Sequence, residues 1–170
     1  MGIRRRDVLK AVAATALAGF APDAYADARI VIPSGEKTAM TSRPLMTVNI
    51  AAAPPQKLGT VPHGIRSIVP VTGGDFEGPR LRGKVLPGGG DWLLLRPDGV
   101  LELDLRITLE TDDQALIYMT FQGLRHGSYF RTLPRFETSS ESYAFLNRIM
   151  CVGVGEARPD GAVHRIAEIL

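Results

Sequence analysis

The chain is poor in the residues that most often announce a chemistry. Its 170 residues hold a single cysteine, Cys151, which excludes an internal disulfide framework. With no partner in the chain, Cys151 reads as a small buried apolar side chain rather than a reactive thiol. Three histidines, His63, His126 and His164, lie on separate segments with none of the spacings that bind a metal ion, so no metal is expected. There is no Gly-x-Ser-x-Gly elbow and no phosphate-binding Gly-x-x-x-x-Gly-Lys-Ser/Thr loop. The glycines at 88 to 90 precede a strand, not a helix N-terminus, and so lack the dipole that cradles phosphate; no nucleotide or other cofactor is expected. No apolar run reaches the roughly 20 residues of a membrane-spanning helix, which argues against an integral membrane segment.

What is present begins with an address. Arg4-Arg5-Arg6-Asp7-Val8-Leu9-Lys10 leads into a mild, alanine-rich apolar stretch from Ala11 to Phe20, which ends at Ala24-Tyr25-Ala26. Basic head, apolar middle and small-residue exit make an export signal, and Arg5-Arg6 with Leu9-Lys10 fits the twin-arginine type. Cleavage after Ala26 removes four basic and two acidic residues and leaves sixteen of each in the mature chain. The basic balance therefore belongs to the signal, and a nucleic-acid partner is not expected. The expected organisation is a cleaved signal at 1–26, an extended arm at 27–43 and one domain at 44–170. The protein is then periplasmic or secreted, with the twin-arginine machinery as its export partner.

The mature chain reads as strands and tight turns. Over Val100 to Thr111, Leu101, Leu103, Leu105, Ile107 and Leu109 share one parity, while Glu102, Asp104, Arg106, Thr108 and Glu110 share the other. Such alternation marks a strand, because successive side chains point to opposite faces. Further strands are expected at 45–52, 64–71, 80–86, 92–95, 115–121, 129–136, 148–156 and 163–169. Arg96-Pro97-Asp98-Gly99 and Arg158-Pro159-Asp160-Gly161 are hairpin turns, and Asp112-Asp113 marks a third. Gly73-Gly74 reads as the end of a strand. Residues 143–147 could make one helical turn. Gly153 and Gly155, on the parity of Cys151, suggest a bend or a close backbone approach. Nine or ten antiparallel strands with little helix predict an all-β fold, a closed barrel in which no edge is left exposed.

A set of motifs in order supports this: Pro-Val-Thr-Gly-Gly-Asp-Phe-Glu-Gly-Pro-Arg-Leu-Arg-Gly-Lys-Val-Leu-Pro-Gly-Gly-Gly (70 to 90), Leu-Arg-Pro-Asp-Gly (95 to 99), Tyr-Phe-Arg-Thr (129 to 132), Arg-Phe-Glu-Thr (135 to 138) and Val-Gly-Val-Gly-Glu (152 to 156). From about residue 44 to 169 the chain resembles the bacterial and fungal family called domain of unknown function 3237. The resemblance implies a calycin-like antiparallel β-barrel and no established activity. It also draws attention to two departures. Arg125-His126-Gly127-Ser128 runs straight into Tyr129, where relatives carry a longer segment, and Gln114 stands where the family usually has glycine. If the longer segment lids the barrel in relatives, the mouth of this one is more open.

The candidate site residues are carboxylates, arginines and aromatics near these motifs. Asp104 and Arg106, two apart on one strand, share a face. If that face lines the lumen they form a desolvated pair able to clamp a ligand or act as acid and base; otherwise they are a solvated surface pair. Asp91 precedes the lone Trp92: either the carboxylate and the amphipathic indole wall a pocket, or Asp91 caps the glycine turn and Trp92 packs in the core. Glu77 is a candidate catalytic carboxylate or, with Arg80, a local ion pair at a turn. Tyr118, Tyr129, Arg131, Glu137 and Asn147 are candidate ligand contacts, against core packing for Tyr118 and a strand cap for Asn147. Three functions fit: binding of a small organic molecule in the barrel, a metal-independent isomerase, cyclase, lyase or hydrolase, and a structural or partner-binding module that could self-associate as a homo-oligomer.

Overall fold

Alternation along the chain becomes inside and outside in three dimensions. The computed structural model describes residues 40–170; the export signal at 1–26, its cleavage site and the arm up to residue 39 lie outside the described residues. Ten strands follow in order: β1 (Ser42–Ala52), β2 (Gln56–Val61), β3 (Gly64–Glu77), β4 (Arg82–Val85), β5 (Gly90–Leu95), β6 (Leu101–Thr111), β7 (Leu116–His126), β8 (Tyr129–Glu137), β9 (Cys151–Arg158) and β10 (Gly161–Ile169). A 3-10 helix, Glu141–Arg148, joins β8 to β9. Ser42 and Arg43, assigned to the arm from sequence, are already the first residues of β1.

All pairings are antiparallel, and they close. From β1 the ladder runs through β10, β9, β8, β7 and β6, crosses β5 to β3, and returns to β1 through pairs such as Val48 with Phe76. These eight strands make the barrel. β4 is a second bridge between β3 and β6, and β2 lies outside, on β3. Closure leaves few unpaired backbone groups, which is why so many short strands are stable together. The weakest seam is β8–β9, with Arg131–Val154 and Thr132–Gly153 as its register pairs.

The 14-residue β3 was expected to end at Gly73-Gly74; instead it runs through them. Both glycines have positive φ, 150° and 139°, a region closed to other residues. A Cβ on Gly74 would lie 2.0 Å from the Asn49 carbonyl oxygen. The pair is a bend at which β3 changes neighbours, from β2 and β5 on one side of it to β1 and β4 on the other. Gly153 and Gly155 are the close approaches that their parity suggested. A Cβ on Gly155 would meet the Phe130 ring at 2.6 Å, so the glycine makes room for that ring inside the barrel. β2 carries no alternation that marks it, and sequence reading missed it.

The apolar parity of β6 faces inward: Leu103, Leu105, Ile107 and Leu109 are buried, together with Ile117, Met119 and Phe121 of β7 and Phe130 and Phe136 of β8. Leu146 of the 3-10 helix, which packs on β8, is buried in the same core. Cys151 is buried as expected, and desolvation pushes its thiol up to about 11. Gln114 closes the β6–β7 hairpin with φ 67°, the left-handed conformation that a glycine would adopt there without strain. Its N–H donates to the Thr111 carbonyl at 2.8 Å.

Candidate functional site: the barrel lumen

A cavity of about 130 Å³ lies inside one end of the barrel. Its walls show which end. They include Leu101, the first residue of β6, Arg125 near the end of β7, Phe130 near the start of β8, Ala157 near the end of β9 and Gly161 at the start of β10. The short turn Gly127-Ser128 between β7 and β8 is at this same mouth. Most of the wall is aliphatic: Ile50, Val69, Val71, Leu93, Leu103 and Leu105. Three polar side chains interrupt it: Asp91, Arg125 and His164.

Asp91 is placed by parity. It pairs with Val69 of β3 and Leu105 of β6, both inward-facing, at a depth four residues from the mouth end of β5. The Asp104 backbone N–H donates to its Oδ1 at 3.0 Å. Desolvation in this apolar lumen pushes the carboxyl up to about 7; the hydrogen bond from Asp104 opposes that rise, and the Asp104 charge adds to it. An acid with this value can both give and take a proton near neutral pH.

His164 is 1% exposed and lies between two rings, with Phe121 at 4.8 Å and Phe130 edge-on at 5.1 Å. Burial pushes its pKa down to about 4, so the imidazole is neutral at pH 7. Its Nδ1 is buried without a hydrogen-bond partner. Phe121 is also the register partner of Leu105, which pairs with Asp91, so Asp91 and His164 stand at similar depth on different walls. Arg125 is higher, opposite Leu101 at the mouth, with its guanidinium carbon 5.7 Å from the Phe130 ring centroid. The lumen thus combines an apolar wall, a titratable carboxyl and a neutral imidazole at depth, and a cation at the rim.

Sequence reading named Asp91 and missed Arg125 and His164. The signal for Arg125 was available: it shares parity with Ile117, Met119 and Phe121, a charge on an apolar face. His164 sits between Val163 and Arg165, where parity alone does not mark its face.

The other candidates lie outside the lumen. Asp104 and Arg106 do form a pair, with Arg106 Nη2 donating to Asp104 Oδ2 at 2.9 Å, but their side chains are 38% and 53% exposed. The lumen alternative for this pair is therefore corrected: leucines already fill the inner parity of β6, so its charges face outward. Trp92, one residue from Asp91, points outward too. It lies 5.3 Å beneath the Arg106 guanidinium and lines an outer groove with Arg66, Asp104, Gln122, Tyr129 and Arg131. Tyr129 stacks on His126 at 5.0 Å and lies under Arg131, also at 5.0 Å. Tyr118, Glu137 and Asn147 line a second outer groove beside the 3-10 helix. Tyr118 is 39% exposed and so is not core. Asn147 caps the strand: it accepts from the Thr138 N–H and donates to the Thr138 carbonyl, each at 2.9 Å. Glu77 is exposed at the end of β3 and does not pair with Arg80. Arg80 instead reaches Glu168 at 3.2 Å and packs over Phe145 at 3.9 Å. Among the described residues no group of three or more metal-ligating side chains occurs.

Comparison with known proteins agrees with this architecture. The family described as "Protein of unknown function (DUF3237)" matches residues 40–129 and 126–169, and the two pieces meet at the short β7–β8 turn. A "UPF0311 protein" of Rhodopseudomonas palustris is 33% identical over 130 residues, covering 66% of this chain and 85% of the relative. The "Hydroalkoxylation enzyme phnH" of Penicillium herquei is 32% identical over 124 residues, covering 68% of this chain and 79% of that protein. A crystal structure described as a β-barrel-like protein of Acinetobacter baumannii superposes with a TM-score of 0.75 at 33% identity, covering 80% of this chain and 99% of that one.

Proposed function

The chain belongs to the DUF3237 family of proteins of unknown function, and from that premise we propose that its lumen binds a small organic molecule on which Asp91 acts as general acid and base. The observation that carries this reading is the Asp91 carboxyl: it faces an apolar cavity and is poised at about 7. Structural carboxylates gain from ionising, through salt bridges or several hydrogen bonds. This one is kept where ionisation is costly, which is the property of a proton-transfer group. The Penicillium relative's name supports the same class, because adding an O–H across a double bond requires a proton to be delivered and another removed. Isomerisation and cyclisation make the same demand.

The chain's own residues divide the work. The aliphatic wall excludes water and holds the apolar body of the ligand. Asp104, through its N–H, orients the Asp91 carboxyl. His164, neutral and unpartnered at Nδ1, offers a hydrogen bond to the ligand without a competing charge. Incubating a metabolite extract in D2O with the protein tests this: compounds should gain deuterium with wild type and not with Asp91→Asn. Equal incorporation with both proteins removes Asp91 from the reaction. A ligand retained by wild type in native mass spectrometry, with no incorporation, favours the second reading, a lumen that binds without chemistry. That reading draws on the cavity's small size and its mainly apolar wall.

We also propose that the protein acts outside the cytoplasm. Arg5-Arg6, the alanine-rich stretch and Ala24-Tyr25-Ala26 support export by the twin-arginine route.

A further inference from the structure

Resting on the reading of the lumen as a binding site, we infer that its ligand is a small organic acid, held with its anionic end on Arg125 at the mouth and its apolar body against Leu93, Leu101 and Phe130, and with a second polar group reaching His164 at the floor. The charge balance of the cavity is the first support. Arginine is always protonated, yet among the described residues no carboxylate lies within salt-bridge distance of Arg125. The arginines that do form salt bridges, Arg43, Arg80, Arg82, Arg96, Arg106 and Arg165, do not line this cavity. A guanidinium lining a cavity beside an aromatic ring and without a counter-ion is a recognition group for a carboxylate. Asp91 does not neutralise it: that carboxyl is deeper and keeps its proton up to about pH 7. His164 adds no charge at that pH. The permanent charge of the lumen is therefore positive.

The second support is geometric. Arg125 stands one residue from the end of β7, whereas His164 stands three residues into β10 from the same mouth. At roughly 3.3 Å per residue, these polar groups bracket the length of one substituted six-membered ring. The volume, about 130 Å³, is close to the roughly 150 Å³ of an apolar cavity that accepts benzene, so the cavity holds the ring while the carboxylate stands outside it at the rim. The unpartnered Nδ1 of His164 is the second anchor, because a buried polar atom left unpaired costs free energy that a ligand hydroxyl would restore. The short Gly127-Ser128 turn leaves the rim beside Arg125 without a longer covering segment, so that an anionic end can remain partly solvated there.

Benzoate, benzamide and 4-hydroxybenzoate are the probes, titrated into 15N-labelled protein. Benzoate should bind about tenfold more tightly than benzamide, the worth of one charge-assisted contact, with shifts at Leu93, Phe130 and His164. Arg125→Gln should abolish that preference and leave benzamide within about twofold of its wild-type affinity, while Arg125→Lys should retain part of the preference. 4-Hydroxybenzoate should bind more tightly than benzoate to wild type and not to His164→Phe. Equal affinity of wild type for benzoate and benzamide overturns the inference whether or not Arg125→Gln folds. Benzamide shifts in the lumen without that preference would leave the lumen site standing and the organic acid refuted. No lumen shift with any probe would refute both. A hydroxyl gain that survives in His164→Phe would refute the floor contact.

Discussion

Asp91→Asn should make the protein more stable, and by an amount that depends on pH. The carboxyl moves from 3.8 to about 7 on folding, roughly three units, and each unit is worth about 1.36 kcal/mol. Because the folded value is the higher one, Asp91 favours the folded state fully below about pH 4. That advantage is lost as pH rises to about 7, a total loss of up to about 4 kcal/mol. His164 works in the opposite direction. Its value falls from 6.5 to about 4, so its contribution is present above about pH 6.5 and is lost as pH falls to 4, about 3 kcal/mol. In wild type the two largely offset each other between pH 4 and 7. Asparagine removes one side of the balance while its Oδ1 still accepts from the Asp104 N–H. Urea unfolding at pH 4, 6 and 8 should show the variant close to wild type at pH 4 and more stable by up to about 4 kcal/mol at pH 8. A difference that does not change with pH would mean that the substitution acts through packing or hydrogen bonding, and would refute a carboxyl held near neutrality. Gain of stability with loss of proton transfer is the trade expected of a functional group kept at a cost to the fold.

Arg106→Ala should change the urea midpoint little, since an exposed pair is worth about 0–1 kcal/mol; a loss of several kcal/mol would contradict the outward placement of Asp104 and Arg106. Gly155→Ala should push the Phe130 ring towards the cavity, destabilise by about 1–3 kcal/mol and weaken benzamide binding in an NMR titration, whereas unchanged affinity would show that the ring does not bound the site. Gln114→Gly should raise the thermal midpoint by relieving the left-handed strain of the β6–β7 turn, worth about 1 kcal/mol; a lowered midpoint would show that Gln114 contributes more than its backbone strain takes away. Arg5→Lys with Arg6→Lys should trap unprocessed precursor in the cytoplasm, and N-terminal sequencing of exported wild type should begin at Asp27; normal processing of the double variant would end the twin-arginine reading.

What the sequence determined by itself was the strand content, the antiparallel pairing and the closed barrel. These follow from local rules: the period-two pattern of Leu101 to Leu109, and the Pro-Asp-Gly turns that fold the chain back on itself. Parity also grouped Asp104 with Arg106, whereas Asp91 and Trp92, read together as one pocket wall, fall on opposite faces of β5. It could not say which group faced inward, because each strand presents two faces and only closure chooses between them. The choice falls to the leucines of β6, which have no other place to leave water; Asp104 and Arg106 therefore go outside and Asp91 goes in. The site beyond Asp91 was decided by tertiary structure alone. Asp91, Arg125 and His164 come from β5, β7 and β10, far apart in sequence, and no spacing rule links them. They line one cavity because closure of the ladder through β1 and β3 places β10 across the lumen from β5, and because Gly155 lets Phe130 pack beside His164.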